Sequence, residues 1–333
     1  MLNYVDIESA AKRIAPFINH TPTVSSSLLN NWLGHTLYFK AECCQKIGAF
    51  KARGGCNAVA KLTELGNKPN RIIANSSGNH AQAVAYAGRQ FGIPATIYMP
   101  DYSSQVKIQA TRSYGADVVL CQSREEADTR VAEAAQEKNV YWIPPYNHED
   151  VIAGQGTAAY EALKETGPVD AVFAPCGGGG LLSGTWISTR YLAPKALVIG
   201  AEPLAANDAA ESLRTGQIQS LKQKPDTLAD GAMTVRVGDI TFEYLKQLDG
   251  FYEIDENTIV YWTQWLTHLL KLHVEPTSAM SMGAVCQWLK AQKTQQKVLV
   301  ILSGGNIDVQ TNRTIWATDQ LTRRPDLLES ETE

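Results

Sequence analysis

Short runs rich in β-branched and aliphatic residues recur along this chain, at positions 71–75, 95–99, 117–121, 171–175, 197–201 and 298–302. Each is too short for a buried helix and reads as a buried strand. Helical patterns fill the gaps, at 81–91, 104–114, 125–138, 152–165 and 258–270. Strands separated by helices can join a sheet only through crossovers that cover its faces. The alternation therefore predicts an α/β fold, with two open, largely parallel sheets flanked by helices and joined by right-handed connections.

With 333 residues, 44% of them hydrophobic, the chain has material for roughly two domains. The strands cluster before and after about residue 147, and the loop Pro144-Pro145-Tyr146-Asn147-His148 is a natural joint beside a cleft. The expected division gives residues 1–53 and 148–320 to a large domain, 54–147 to a small one and 321–333 to a C-terminal tail. Within that tail Glu329 to Glu333 read as solvated and disordered.

Charge and cysteine usage exclude several classes. The 30 basic and 34 acidic side chains are interspersed and sum to −4, with no basic stripe for nucleic acid. The longest aliphatic run, 298–302, is far short of the roughly 20 residues that cross a bilayer. Residues 1–17 read as an amphipathic helix capped near Asp6 and not as a signal peptide, so a cytoplasmic location is expected. Six cysteines without a C-x-x-C pair read as reduced, mostly packed thiols, and no H-E-x-x-H supports a histidine zinc site.

Three strands run into turns of small residues: Ser76-Ser77-Gly78-Asn79-His80, Gly177 to Gly180, and Ser303-Gly304-Gly305-Asn306. Ligands in open α/β sheets bind beyond the carboxyl ends of strands, so three such turns point to one site. The four glycines followed by Leu181 let backbone amides approach an anion at a helix start, although a tight structural turn uses the same residues. Ser183 and Thr185 break the dinucleotide and P-loop patterns. Ser76 to His80 suit a substrate carboxylate, or equally a serine N-cap with an asparagine turn. Lys51 is one lysine among many, but Ala49 and Phe50 beside it would desolvate its amine and lower its pKa. An amine that can hold an aldehyde and a cradle for one phosphate together suggest pyridoxal phosphate.

The ordered set Ala49-Phe50-Lys51-Ala52-Arg53-Gly54, Ser76 to His80, Ile152-Ala153-Gly154-Gln155-Gly156-Thr157, the tetraglycine and Ser303 to Asn306 resembles the serine/threonine dehydratase and serine racemase family. The likeness spans residues 10–315 and leaves no room for an appended regulatory domain. It implies a fold-type II pyridoxal phosphate enzyme, tryptophan synthase β-like, working as a homodimer on a small amino-acid substrate. By that resemblance Lys51 carries the cofactor as a Schiff base, Phe50 flanks the ring, and Asn79 bonds the ring hydroxyl. Gly177, Gly178, Gly179, Gly180 and Leu181 hold the phosphate, and Ser303 meets the pyridine nitrogen. Ser76, Gly78, Asn79 and His80 receive the substrate carboxylate. Lys51 and Ser77 are the expected catalytic pair, on opposite ring faces. Glu202, the carbonyl of Ala206 and Asp208 resemble the family's divalent-cation site, with Mg²⁺, Ca²⁺ or Mn²⁺ as guest.

The implied activity is an ammonia-lyase acting on L-serine, L-threonine or 3-hydroxyaspartate, giving a 2-oxo acid and ammonia. A serine or aspartate racemase is the alternative within catalysis, and a non-catalytic cofactor-binding protein the alternative outside it. Cys43-Cys44, Ile47 and Gly55 depart from common family residues and bear on specificity. An aromatic residue at Tyr146 tilts the expectation toward dehydration.

Overall fold

The computed structural model describes residues 1–327. Glu329 to Glu333, expected to be disordered, lie outside them. Ten strands form two sheets. In chain order they are β1 (Thr23–Val24), β2 (Thr36–Ala41), β3 (Arg71–Asn75), β4 (Ala95–Pro100), β5 (Asp117–Cys121), β6 (Val140–Trp142), β7 (Ala171–Pro175), β8 (Leu197–Pro203), β9 (Gly250–Ile254) and β10 (Lys297–Leu302). The larger sheet has the order β1-β2-β10-β7-β8-β9, the smaller β5-β4-β3-β6. Only β1 is antiparallel to its neighbour.

Strand β10 lies between β2 and β7, with Val298 opposite both Leu37 and Ala171. Its side chains alternate between two cores. Val298, Val300 and Leu302 pack with Phe39, Phe173 and Trp262, whereas Leu299 and Ile301 pack with Val172 and Leu182. A strand covered on both faces carries no polar alternation, which is why its sequence is a continuous apolar run.

All six expected strands are present, and four others escaped the sequence pattern for identifiable reasons. β1 and β6 are two and three residues long. β9 is a half-buried edge. β2 carries Lys40, whose fully buried amine donates to the Thr21 carbonyl at 2.6 Å and pairs with Glu161 at 2.9 Å.

The helix Lys51–Glu64 was hidden by Gly54 and Gly55, since interior glycines cost about 1 kcal/mol each against alanine. Here they permit close packing. A Cβ on Gly54 would sit 3.0 Å from the Val151 carbonyl oxygen, and one on Gly55 3.0 Å from that of Ala83. Gly154, inside the helix Glu149–Thr166, serves the same contact from the other side, with the Arg53 carbonyl oxygen 2.4 Å from where its Cβ would lie. The first helix, Tyr4–Ile14, is capped by Asn3, and Asp6 completes the capping box from its first turn instead of being the cap. All six cysteines are free thiols, but only Cys56, Cys121 and Cys176 are fully buried.

Candidate active site

Strands β3, β7 and β10 end on one cleft of about 1480 Å³, ample for a cofactor and a small substrate together. Its walls include Phe50, Lys51, residues 76–80, Gly177 to Leu181, Tyr146 and Ser303. Three helices start there: Lys51–Glu64, Asn79–Phe91 and Gly180–Leu192. Their N-cap residues are Phe50, Gly78 and Gly179, and none supplies a side-chain cap. By contrast, Ser123, Asp255 and Asp308 cap helices with their own oxygens. Uncapped starts leave backbone N–H groups and positive dipole ends for anions in the cleft.

This geometry bears on both turns that the sequence left open. At 76–80 the N-cap is Gly78, not a serine, and the Ser76 hydroxyl accepts from the Gly78 N–H at 3.3 Å. In the tetraglycine only Gly179 has a left-handed φ, +90°, so a tight turn by itself accounts for one glycine of the four. The others answer to space. A Cβ on Gly178 would lie 2.2 Å from the Tyr146 ring, one on Gly180 2.5 Å from Gln155 Oε1, and one on Gly177 2.9 Å from the Gly231 carbonyl oxygen. Leu181 is buried in the turn that follows.

Lys51 projects from the first turn of its helix, with Nζ 5.1 Å from the centre of the Phe50 ring. The amine donates to the Pro145 carbonyl at 2.5 Å and has no carboxylate partner. Burial pushes its pKa down to about 7, which makes free amine available near neutrality. The loop at 144–148 therefore does more than link β6 to the helix Glu149–Thr166. It supplies the lysine's partner through Pro145, and it lays Tyr146 over Gly178 while the Tyr146 hydroxyl donates to the Arg236 carbonyl at 3.2 Å.

Ser77 is half-buried on the cleft wall, and its hydroxyl has no hydrogen-bond partner among the described residues. His80 is oriented differently from what a carboxylate-binding side chain requires. Its ring is buried, Nε2 donates to the Ile143 carbonyl at 2.7 Å, and Nδ1 is left without a partner. Burial, with Lys51 nearby, lowers its pKa to about 3, so the ring is neutral. Only the His80 backbone N–H, at the helix start, remains suited to an anion.

The third turn carries a residue that sequence reasoning missed. Ser303 Oγ lies 2.9 Å from Ser278 Oγ and donates to Glu275 Oε1 at 3.3 Å. Glu275 also accepts from Asn79 Nδ2 at 3.3 Å and from the Asn306 N–H at 3.1 Å. Asn79 Oδ1 in turn accepts from Asn306 Nδ2 at 2.8 Å. Glu275 is 1% exposed, and burial first, then the charge of Asp230, raises its pKa to about 7. The available signal was an acid directly before Pro276, amid residues too apolar and small for a solvated loop.

Glu202, at the end of β8, and Asp208, at the start of the helix Asp208–Thr215, come together. The Glu202 carboxylate accepts from the N–H groups of Ala209 and Ala210, at 3.2 and 2.6 Å. Both Asp208 carboxylate oxygens are buried without a partner. Burial raises Glu202 to about 9 and Asp208 to about 7. Buried, unpaired carboxylate oxygens are donors of the chemistry a hard divalent ion takes. No cluster of three or more His, Cys, Asp or Glu side chains suited to a metal exists among the described residues, so a cation here would need backbone carbonyls and water as well. No helix among them is long and apolar enough to cross a membrane.

Comparison with known proteins agrees with the cleft. The family described as pyridoxal-phosphate dependent enzyme matches residues 14–304. The chain is 41% identical to the L-threo-3-hydroxyaspartate ammonia-lyase of Saccharomyces cerevisiae, across 94% of this chain and 95% of that one. It is 39% identical to the serine racemase of Schizosaccharomyces pombe, across 92% and 95%. The crystal structure of serine racemase from Dictyostelium discoideum superposes with a TM-score of 0.86 at 37% identity, covering 92% of this chain and 99% of that one. Glycine-walled helix starts, a desolvated lysine and this extent of likeness lead to one conclusion: the chain belongs to the pyridoxal-phosphate dependent enzymes, among their fold-type II members.

Proposed function

We propose that this enzyme is an ammonia-lyase for β-hydroxy amino acids, with L-serine, L-threonine and 3-hydroxyaspartate as the substrates to examine first. The observation that carries the reading is Lys51: a buried amine with no acid partner, at the start of an uncapped helix. Pyridoxal phosphate suits the residues present, and when bound it supplies an electron sink for charge developing at the substrate Cα. Lys51 would hold the aldehyde of the bound cofactor, and its Nζ would be the base for the substrate Cα proton. Backbone N–H groups of Gly177 to Leu181 grip the phosphate, and those of residues 76–80 orient the substrate carboxylate. Asn79 and Ser303 address the ring hydroxyl and ring nitrogen, and Phe50 and Tyr146 restrict water.

A racemase reading is favoured by one specific observation, the unpartnered Ser77 hydroxyl on the same wall, which could exchange a proton with Cα. Glu202, the Ala206 carbonyl and Asp208 form the proposed Mg²⁺, Ca²⁺ or Mn²⁺ site. The division into 1–53 with 148–320, 54–147 and a 321–333 tail, a homodimer and a cytoplasmic location complete the proposal, as the resemblance implies.

Borohydride reduction of the enzyme with bound cofactor should fix the label on Lys51, and an unmodified Lys51 would end the reading. Release of 2-oxo acid from each of the three substrates, measured beside D-isomer formation from L-serine, separates lyase from racemase. In Tyr146→Asn the ratio of elimination to racemisation should fall. An unchanged ratio removes Tyr146 from the specificity argument.

A further inference from the structure

Ser303 has one hydrogen and three neighbours competing for its orientation. Glu275 Oε1 and Ser278 Oγ lie at 3.3 and 2.9 Å, and the cleft lies on the remaining side. Ser278 Oγ, whose own hydrogen goes to the Gly304 carbonyl at 2.9 Å and which accepts from the Gly304 N–H at 2.8 Å, can only accept from Ser303, and it offers that same acceptor in either state of Glu275. Glu275 is therefore the only neighbour of Ser303 that can change between a charged acceptor and a neutral acid.

The surroundings make that change accessible. Neutral groups alone donate to Glu275: Asn79, the Asn306 N–H and Ser303. No cation pairs with it. Lys107, which feels the charge of Glu275, is engaged by Asp230, and Asp308 adds negative charge around that pair. The carboxylate packs against backbone, 2.8 Å from where a Gly304 Cβ would lie, and the Glu275 N–H donates to the Gly304 carbonyl at 3.0 Å. The Ser303 carbonyl accepts from the Phe50 N–H at 2.9 Å, so the same turn is tied to the residue before Lys51.

We propose that Glu275 is a positioning residue that sets the direction of the Ser303 hydroxyl, and through it the protonation preferred at the seat of the cofactor's ring nitrogen. Ionised, Glu275 takes the Ser303 hydrogen, and Ser303 presents an oxygen lone pair that favours a protonated nitrogen. Protonated, Glu275 releases that hydrogen, and Ser303 donates to an unprotonated nitrogen. One proton on Glu275 thus inverts one hydroxyl, with no bond broken elsewhere. The inference deepens the proposed function and rests on Ser303 facing the ring nitrogen. Its pH range follows from Glu275, whose burial and neighbouring Asp230 hold it at about 7.

The test uses the enzyme loaded with pyridoxal phosphate carrying ¹⁵N in the ring. The ring-nitrogen chemical shift is followed against pH, alongside borohydride labelling of Lys51. The wild-type shift should titrate around neutrality, and Glu275→Gln and Ser303→Ala should each lose that titration while Lys51 is still labelled. A titration unchanged in labelled Glu275→Gln overturns the inference and leaves the proposed function intact. Absence of Lys51 labelling in the wild type overturns the proposed function itself. If Glu275→Gln does not take up cofactor, Glu275→Asp decides: a displaced midpoint sustains the inference and an unmoved one overturns it.

Discussion

Lys51 and Arg53 stand two residues apart in the first turn of one helix, and both are buried cations treated in opposite ways. Around Arg53 the chain assembles two carboxylates: Glu42 at 2.7 and 2.8 Å and Glu161 at 2.8 and 2.7 Å, with Lys40 pairing to Glu161 as well. Burial would weaken the charge on Arg53, but these partners outweigh it and hold the guanidinium charged. Lys51 receives a carbonyl and no acid, and its pKa falls to about 7. Burial alone does not decide charge; the counter-charges do. A caged cation fastens the helix, and its uncaged neighbour is left reactive.

Several measurements can break or sharpen that contrast. Lys51→Ala should lower kcat by at least about 10⁴-fold, since it removes both the covalent anchor and the acid/base, while thermal unfolding changes little. A variant with substantial residual turnover would end the distinction. Arg53→Met should do the reverse, costing about 3–5 kcal/mol in denaturant unfolding because Glu42 is left buried without its cation and Glu161 keeps only Lys40. Glu202 and Asp208, in the proposed cation site, extend the comparison to a counter-charge supplied from outside. Divalent cation added to chelator-treated enzyme at a hundredfold excess over Kd should raise unfolding stability by about 2.7 kcal/mol, and Asp208→Asn should not respond.

Per pH unit, the smallest effect is pH dependence. A lysine at about 7 when folded and 10.5 when unfolded binds fewer protons in the native state between those values. Cofactor-free enzyme should therefore gain stability as pH rises through that window, by at most about 1.4 kcal/mol per unit. Lys51→Met should lose this slope. Glu161 has the same sign in a different window. Burial pushes its pKa up, but hydrogen bonds and charge from Arg53 and Lys40 hold it below 4.5, so its contribution is present above that value and lost in acid.

The contrast was only half legible in the sequence. Ala49, Phe50 and Lys51 are contiguous, so a desolvated amine could be read from neighbours. The cage around Arg53 draws on Glu161, 108 residues away, and nothing local announces it. Glycine turns after β3, β7 and β10 were visible because a strand's end and a helix's start are local patterns. Gly54 and Gly55 obscured their helix because propensity counts their cost and cannot see the backbones they admit. Glu275 stayed hidden because its partners come from residues 79, 303 and 306. His80 shows the converse limit: it lies on the cleft wall, but its ring turns to Ile143, a residue no spacing argument would choose.

The position of β10 also governs when the molecule can become an enzyme. Residues 297–302 are the middle strand of the larger sheet, bridging β2 and β7, yet they come near the end of the chain. During synthesis β2 and β7 must wait for their common neighbour, with apolar edges uncovered and long-range pairing still to be made. A ribosome stalled before residue 297 would carry Lys51 and the glycine cradle but no floor beneath them. The proposed catalytic lysine is made early, and its competence arrives late, when the keystone strand slides home.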